Sequence, residues 1–262
     1  MHIYGDPALY PPAPGNPFQP VAGGTTENYL KLRALLGLER AVVVQPSVYG
    51  TDNRCTLEAM ARLGRSARGV AVVDETVSDA EIERLNGLGV RGLRYFMLAD
   101  GPLDWKNLPR MAARVHAVAG WHIQLQMDGR FFHEREAELS RLPGTLVIDH
   151  NGKFLEPVGR DHPGYAALRR LLDRGDAWVK TSGVYETSRE GPPRYADVAW
   201  IARELIADYP ERCVWATNWP HPSKPGAPPD DALLVDLMTE WCGGETALRR
   251  LLVENPGRLY GF

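Results

Sequence analysis

The chain has 262 residues, of which 44% are hydrophobic and 24% are charged, a composition ordinary for a globular protein. Its 30 basic and 33 acidic residues give a net charge of −3, so no basic surface for nucleic acid or for an anionic membrane is indicated. No apolar run approaches the roughly 20 residues that a membrane-spanning helix needs. The length suits one large α/β domain, and we expect a single domain over residues 1–262.

The sequence contains three cysteines, Cys55, Cys213 and Cys242, with no CxxC or CxxxC spacing. An odd number of widely spaced cysteines argues against a disulfide framework or a structural zinc site, and fits a reducing compartment. The sequence also opens without the basic and then apolar pattern of a secretory leader. We therefore expect a cytoplasmic protein.

Short apolar segments alternate with helix-like segments along the chain. Strands are predicted near residues 41–45, 69–73, 90–96, 121–128, 145–150 and 177–182, and a seventh begins at Cys213. Helices are predicted near 25–36, 53–64, 105–119, 132–141, 164–174, 195–209, 230–241 and 245–252, and a short one follows Ser78. Such alternation is typical of βαβ units and a parallel sheet. Thr51 or Asp52 is the predicted N-cap of the second helix, and Ser78 that of the third.

The number of strands bears on the architecture. Seven visible strands are one fewer than a (β/α)₈ barrel has, and the shortage lies at the N-terminus, where MHIYG runs directly into proline- and glycine-rich sequence. A doubly wound open sheet is the alternative, but its glycine-rich phosphate loop, GxGxxG or GxxxxGK[ST], does not occur. We predict an α/β protein with a (β/α)₈ TIM-like barrel whose first strand is largely missing from this sequence.

Polar residues follow the predicted strands at their carboxyl ends, where barrel enzymes carry their chemistry. In chain order they are His2, Gln45, Ser47, Tyr49, Asp74, Arg94, Gln126, Asp128, Asp149, His150, Asn151, Lys153, Lys180, Ser182, Tyr185, Asn218 and His221. Histidines, cations and amides at one face indicate a site for an oxygen-rich, anionic ligand.

Several of these residues have an ordinary structural explanation as well. Asn218 and His221 can serve only to satisfy backbone groups in a strand-to-loop turn, and Arg94 can pair with Asp74. His150 is different, because it ends the apolar strand TLVIDH, where the packed interior of a barrel leaves little use for a histidine except chemistry. The remaining histidines are expected to be ordinary helix, strand or helix-flank residues: His116, His122, His133 and His162.

Six motifs, MHIYG, VVVQPSVYGTDN, GLRYF, VIDHNGKF, WVKTSG and WATNWPHP, follow one another along nearly the whole chain. They resemble the amidohydrolase superfamily, amidohydrolase-related family 2, and most closely its metal-independent branch of lactonases and lactone isomerases. The resemblance implies a barrel enzyme that acts on a small-molecule lactone or sugar acid. Members of this branch usually carry a His-x-His motif at the end of the first strand. Met1-His2 matches its last two positions, so we expect the natural start to lie upstream.

The resemblance also bears on metal binding. Metal-dependent members of the superfamily use histidines on strands 1, 5 and 6 and an aspartate on strand 8, and binuclear sites add a lysine or carboxylate on strand 4. Here the corresponding strand ends carry Arg94, which stays protonated, Gln126 followed by Asp128 in place of a histidine, and Asn218 in place of the aspartate. Amides are poor ligands for Zn²⁺. We expect no metal and no cofactor.

Asn218 indicates the type of reaction. In hydrolytic relatives the aspartate at this position activates water, whereas an amide cannot accept a proton at physiological pH. The resemblance and this residue predict a metal-independent isomerase of a sugar-diacid lactone, of the D-galactaro-1,5-lactone to 1,4-lactone type, by intramolecular acyl transfer. One alternative is a lactone hydrolase of the 2-pyrone-4,6-dicarboxylate or sugar lactonase type. Another, from a different class, is a non-catalytic barrel that binds a sugar acid.

We state the roles of the site residues as a hypothesis. His150 or His2 removes the proton from the attacking hydroxyl, and Asn218 orients the substrate. Arg94 and Lys180, together with Lys153, bind the substrate's carboxylate and polarise its carbonyl group. The remaining substrate contacts are expected from Ser47, Tyr49, Asn53 and His221.

Overall fold

The computed structural model describes residues 1–98, 101–222 and 226–262. The chain forms two compact units, Met1–Gln124 and Leu125–Phe262. The strands are β1 (Ala41–Val44), β2 (Ala67–Ala71), β3 (Val90–Phe96), β4 (His122–Gln126), β5 (Leu146–Ile148), β6 (Ala177–Lys180) and β7 (Cys213–Val214). The α-helices are α1 (Thr26–Leu35), α2 (Arg54–Leu63), α3 (Asp79–Gly87), α4 (Leu108–Ala119), α5 (Phe132–Leu139), α6 (Pro163–Asp173), α7 (Ala196–Asp208), α8 (Asp231–Cys242), α9 (Glu245–Arg249) and α10 (Asn255–Tyr260).

The alternation of helices and strands confirms the predicted α/β class, while the single-domain expectation stays a prediction. Among the described residues the structure has seven strands, and no regular strand is assigned within residues 1–40, as predicted. None of the helices in the described ranges is long and apolar enough to cross a membrane.

The first unit contains a parallel sheet in which β1, β2 and β3 follow in chain order. The β-branched and aromatic residues of AVVV in β1 and VRGLRYF in β3 favour extended chain. Helix α2 buries one apolar face, which includes Ala59, Met60 and Leu63. Gly69 in β2 permits the close approach of this helix, since a Cβ atom there would lie 2.5 Å from the Met60 sulfur.

Residues 1–3 lie along the edge of β1. The Met1 amino group donates a hydrogen bond to the Val42 carbonyl oxygen (3.1 Å), and the Val44 N–H donates one to the Met1 carbonyl oxygen (2.9 Å). Met1, His2 and Ile3 are buried. These bonds give part of the β1 edge a hydrogen-bonding partner and place His2 just beyond it.

The second unit contains the parallel strands β5, β6 and β7, again in chain order. Val147, Trp178 and Val214, one from each strand, pack together in its core. A second cluster joins the three-residue turn Val184–Glu186 to helices α7 and α8. This packing holds the segment after β6, which carries several polar side chains described below.

The predicted N-cap of α3 is confirmed, and the predicted N-cap of α2 is wrong. Ser78 is the N-cap of α3, as predicted, and its hydroxyl accepts a hydrogen bond from the Glu81 N–H (3.1 Å). The N-cap of α2 is Asn53, not Thr51 or Asp52. The Asn53 side chain makes no capping bond because it binds the backbone of Val72, while Asp52 accepts from the Arg54 N–H (3.1 Å).

Candidate active site

The turns after β5 and β7 in the second unit are held in an unusual backbone conformation. Five non-glycine residues there have positive φ: His150 (53°), Asn151 (55°), Lys153 (51°), Asn218 (56°) and His221 (63°). Elsewhere in the described ranges the only other such residue is Tyr195. Left-handed backbone costs an L residue about 1 kcal/mol or more, so it persists where the surroundings hold it, often at functional sites. All five of these residues were predicted from the sequence to lie at strand ends.

His150 follows β5 and is buried. Its Nδ1 atom lies 3.1 Å from the hydroxyl oxygen of Ser182, and the Asn151 amide donates to the Ser182 carbonyl oxygen (3.1 Å). The next residue, Gly183, has φ +71°, and a Cβ atom there would lie 2.7 Å from the same Nδ1 atom. The hydrogen bond to Ser182 therefore orients the imidazole, and the absence of a side chain at Gly183 leaves the space that the ring occupies.

Burial lowers the pKa of His150 to about 4, against the opposing influence of the Glu186 and Asp149 carboxylates. The ring is thus neutral at physiological pH and has a nitrogen lone pair that can accept a proton. If the Ser182 hydroxyl accepts from Nδ1–H, this lone pair lies on Nε2. A neutral buried imidazole with a fixed ring is suited to general acid–base chemistry.

The two lysines predicted to bind the substrate are each paired with a buried carboxylate. Lys153 forms an ion pair with Glu186, and the Lys180 ammonium lies 3.0 Å from Asp149. All four side chains are at most 7% exposed, so each positive charge is balanced inside the protein. A carboxylate bound at either lysine would add negative charge to a pair that is already neutral.

A chain of hydrogen bonds connects the turns after β6 and β7 to the first turn of α8. The Asn218 Nδ2 atom lies 2.8 Å from the Tyr185 hydroxyl and 3.0 Å from Glu186 Oε1. The Tyr185 hydroxyl lies 2.7 Å from His221 Nδ1, and His221 Nε2 lies 3.2 Å from Asp231 Oδ2. With Lys153 on Glu186, six side chains form one continuous network: Lys153, Glu186, Asn218, Tyr185, His221 and Asp231.

The donors in this network have one consistent direction. Asp231 as a carboxylate only accepts, so His221 carries its proton on Nε2 and accepts at Nδ1. The Tyr185 hydroxyl donates to that nitrogen and accepts from the Asn218 amide. Burial raises the pKa of Tyr185 well above its ordinary value, with the Glu186 charge acting in the same direction, so the phenol stays protonated.

The polar residues of the first unit bind mainly backbone groups. Arg94 is buried and donates to the Gln45 carbonyl oxygen (2.7 Å) and to the Ser47 hydroxyl (3.2 Å). The Gln45 amide donates to the carbonyl oxygens of Gly50 (3.2 Å) and Asp52 (2.8 Å). These bonds hold the loop after β1 in shape.

Three further predicted residues lie in the same unit. Asn53 donates to the Val72 carbonyl oxygen (2.7 Å) and accepts from the Val72 N–H (3.0 Å), which bridges two loops. The Tyr49 hydroxyl accepts from the Gly5 N–H (3.0 Å), and burial raises its pKa to about 12. His2 Nδ1 lies 2.9 Å from the Val44 carbonyl oxygen and therefore carries a proton, so in the neutral ring the lone pair lies on Nε2.

A family model described as amidohydrolase matches residues 1–262. The chain belongs to the amidohydrolase family. D-galactarolactone isomerase of Agrobacterium fabrum is 40% identical over 99% of this chain and 89% of its own. A 2-pyrone-4,6-dicarboxylate hydrolase of Comamonas testosteroni is 35% identical over 99% of this chain and 88% of its own.

Solved structures confirm the fold of this amidohydrolase. The crystal structure of an Agrobacterium tumefaciens protein without ligand is 39% identical and has a TM-score of 0.92, over 100% of this chain and 92% of that one. The predicted resemblance and the predicted (β/α)₈ barrel class are thus confirmed. The described residues contain seven of the strands, with β1 the first.

Two members of the amidohydrolase's polar network escaped the sequence analysis. Glu186 follows Tyr185 directly, and Asp231 lies in the first turn of α8, ten residues after His221. Lys153 could have indicated Glu186, because a buried cation requires a carboxylate partner. No local pattern distinguishes Asp231 from the acidic residue that commonly begins a helix.

Other residues of the amidohydrolase considered from the sequence have structural roles. Asp128 forms an ion pair with Arg130, and this contact lowers its pKa despite burial. Asp74 accepts bonds from Thr76. His162 caps α6 by accepting from the Gly164 N–H (3.1 Å), a helix-flank role as predicted.

The donor set of this amidohydrolase does not suit a divalent metal. Within the described ranges there is no group of three or more histidine, cysteine, aspartate or glutamate side chains that could hold a metal ion. The carboxylate of Asp149 is paired with Lys180, and that of Glu186 with Lys153. At the end of β7 the amide of Asn218 donates its N–H groups to Tyr185 and Glu186. Ammonium groups beside the carboxylates disfavour a cation there.

Proposed function

We propose that this amidohydrolase is a metal-independent isomerase of a sugar-diacid lactone, converting a D-galactaro-1,5-lactone to the 1,4-lactone by intramolecular acyl transfer. The observation that carries the proposal is Asn218, an amide bound to Glu186 and Tyr185 at the end of β7. The 40% identity to a D-galactarolactone isomerase over nearly the whole chain supports it.

An amide at position 218 disfavours hydrolysis. Water attacks a lactone fast only when a base removes its proton, and a carboxamide has no basic lone pair at physiological pH. A hydroxyl of the substrate held over the ring carbonyl has a large advantage in proximity and needs no water. The same bound molecule therefore supplies both the nucleophile and the acyl group.

His150 is the proposed general base and acid. The substrate hydroxyl attacks the lactone carbonyl carbon, and its proton passes to the imidazole, giving a tetrahedral intermediate. The bond from that carbon to the original ring oxygen then breaks, and the imidazolium returns the proton to the departing oxygen. The low pKa of the buried ring makes the imidazolium a strong acid, which favours this second transfer. No water is consumed.

The other substrate contacts are part of the same proposal. The positive charges of Lys153 and Lys180 in the second unit both act to lower the pKa of His150, although burial is the larger cause. Their role in stabilising the negative charge that develops on the carbonyl oxygen stays a prediction, since each is paired with a buried carboxylate. Roles for His2, Ser47, Tyr49, Asn53, Arg94 and His221 in binding or proton transfer stay predictions. The bonds of Asn53 and His221 within the protein favour positioning over direct contact.

A lactone hydrolase is the second candidate, favoured by the 35% identity to a 2-pyrone-4,6-dicarboxylate hydrolase. Proton NMR of D-galactaro-1,5-lactone with metal-stripped enzyme separates the two, read against a control without enzyme. Growth of the 1,4-lactone without open-chain acid is expected. Open-chain acid would make the protein a hydrolase, and activity that returns only with added Zn²⁺ would contradict the metal-independent mechanism. Tight binding without any conversion would favour a non-catalytic sugar-acid-binding barrel.

The cellular setting follows from the cysteines and belongs to the same proposal. All three are free thiols, Cys55 and Cys213 being buried. Free buried thiols are typical of a reducing compartment, so we propose that the enzyme is cytoplasmic. Its proposed partner is a small-molecule lactone.

A further inference from the structure

Glu186 lies between Lys153 and Asn218, and Asn218 is the residue at which the proposed reaction differs from hydrolysis. One of its carboxylate oxygens pairs with the Lys153 ammonium, and the other accepts from the Asn218 amide at 3.0 Å. The Glu186 side chain is 2% exposed and that of Lys153 is 4% exposed. A buried positive charge, a buried negative charge and a neutral amide therefore meet in one place.

The carboxylate determines the orientation of the amide. An ionised carboxylate only accepts hydrogen bonds, so the Asn218 amino group, not its carbonyl oxygen, has to face Glu186. The second amino hydrogen is directed to the Tyr185 hydroxyl at 2.8 Å. With both hydrogens used, the Asn218 side chain offers a ligand only its carbonyl oxygen, which can accept a bond from a substrate hydroxyl.

We propose that Glu186 is a specificity-determining positioning residue, which fixes the Asn218 amide and allows only one negative charge to be shared between positions 186 and 218. Its consequence for the reaction rests on the function proposed above. The charge sharing itself is a property of the folded protein and needs no substrate.

The charges around Glu186 and Asn218 support this inference. In the natural sequence Glu186 and Lys153 sum to zero, and Asn218 adds nothing. An aspartate at 218 would place a second carboxylate where the amide now lies 3.0 Å from Glu186, for a sum of −1 in a buried site. Among the described residues, the other titratable groups near this place are His150, which is neutral, Tyr185, which is protonated, and the pairs Lys180–Asp149 and His221–Asp231. The positive charge of Lys180 is already balanced by Asp149.

The test compares the natural protein with N218D, E186Q and the double variant N218D/E186Q by thermal unfolding without substrate, over a range of pH. In N218D the new carboxyl is expected to remain protonated near neutral pH, because a like charge raises its pKa. The folded state then binds more protons than the unfolded state, so the stability of N218D falls as pH rises. E186Q leaves Lys153 without its buried partner and is expected to lower Tm by about 6 °C or more at neutral pH.

The Tm of the double variant shows whether positions 186 and 218 share one negative charge. It restores one carboxylate and one ammonium, so it is expected to recover most of the loss in Tm and to lose the pH slope of N218D. E83Q removes an exposed carboxylate from α3 and controls for a simple change of net charge. If the two single losses in Tm add in the double variant, the positions do not share a charge, and the inference is overturned.

Product analysis then separates this inference from the proposed function. N218D alone is expected to gain little hydrolysis at neutral pH, and N218D/E186Q to release open-chain acid at least tenfold faster than N218D. Full hydrolytic activity of N218D at neutral pH would overturn the role of Glu186. If the unfolding data show rescue but the natural protein leaves the lactone unchanged, the charge sharing stands and the lactone isomerase proposal fails.

Discussion

The polar residues at the strand ends of the two units make different kinds of hydrogen bond. In the first unit Gln45, Asn53, Arg94 and His2 bind mainly backbone carbonyl and N–H groups. In the second unit titratable side chains bind one another, from Lys153 through to Asp231, and His150 is desolvated beside them. Bonds to backbone fix the course of a loop, whereas networks of side chains fix protonation states. The proton transfers proposed above therefore depend on the second unit, while binding roles for residues of the first unit stay predictions.

The largest expected effect follows the loss of the proposed base. Replacing His150 with asparagine keeps a polar group of similar reach to Ser182 but removes the basic nitrogen. We expect kcat to fall by about 10³-fold or more while the protein stays folded, because general base catalysis contributes on this scale. Lactone conversion measures the loss of kcat, and circular dichroism tests whether the variant stays folded. H116N, on the exposed face of α4, is the matched control, and a near-normal rate for H150N would remove His150 from the mechanism.

The pH dependence of stability should identify the same residue without substrate. With a folded-state pKa of about 4 and an ordinary value near 6.5, His150 is neutral in the folded chain and protonated in the unfolded chain between these values. The unfolded state then binds more protons, so stability is lost as pH falls from 6.5 to 4, by up to about 3 kcal/mol. Denaturant unfolding of the natural protein and of H150N over this range measures the difference. Parallel pH curves for the two proteins would contradict the lowered pKa.

A smaller loss is expected when the network is interrupted at Tyr185. Phenylalanine at this position preserves the packing between α7 and α8 but leaves the Asn218 amide and His221 Nδ1 without their shared partner. We expect kcat to fall by roughly 10- to 100-fold and stability by about 1–3 kcal/mol. Y95F is the control, since the buried Tyr95 hydroxyl has no hydrogen-bond partner among the described residues. Equal behaviour of the two variants would argue against the network.

The smallest effect on rate is expected in the first unit. Replacing Asn53 with alanine removes its bonds to both backbone groups of Val72, at a cost of about 2 kcal/mol in the free energy of unfolding. Because this side chain shapes a loop, we expect kcat at a temperature well below Tm to change less than twofold. Urea unfolding and steady-state kinetics measure the two quantities. A large loss of kcat with unchanged stability would make Asn53 a substrate contact and weaken the contrast between the units.

The sequence allowed the fold, and the position of several polar residues at strand ends, to be predicted for a physical reason. Apolar periodicity is local, so β3 was placed at its observed bounds, and Ser78 was recognised as a cap from its own hydroxyl. The position of His150 after β5 followed from the same pattern. What failed depends on contacts between distant residues. Asn53, and not Thr51 or Asp52, is the N-cap of α2, and its amide binds Val72, nineteen residues away, instead of capping the helix.

Glu186 was missed for a related reason. It lies in a three-residue turn with no periodicity, and its importance comes from Lys153 and Asn218, which are 33 and 32 residues away in the sequence. Directions of hydrogen bonds were also beyond the sequence. That Asn218 presents its amino group to Glu186 depends on the charge of its neighbour, which a residue list does not contain.

Gly183 has a consequence for how this enzyme can change over generations or in the laboratory. A single methyl group at this position would occupy space now taken by the His150 ring, on a backbone that already disfavours any L side chain. In a saturation library selected for turnover, position 183 should therefore return almost only the parental codon, while neighbouring loop positions diversify. The fewer residue types that survive at position 183, the smaller is the displacement of the imidazole that the reaction tolerates.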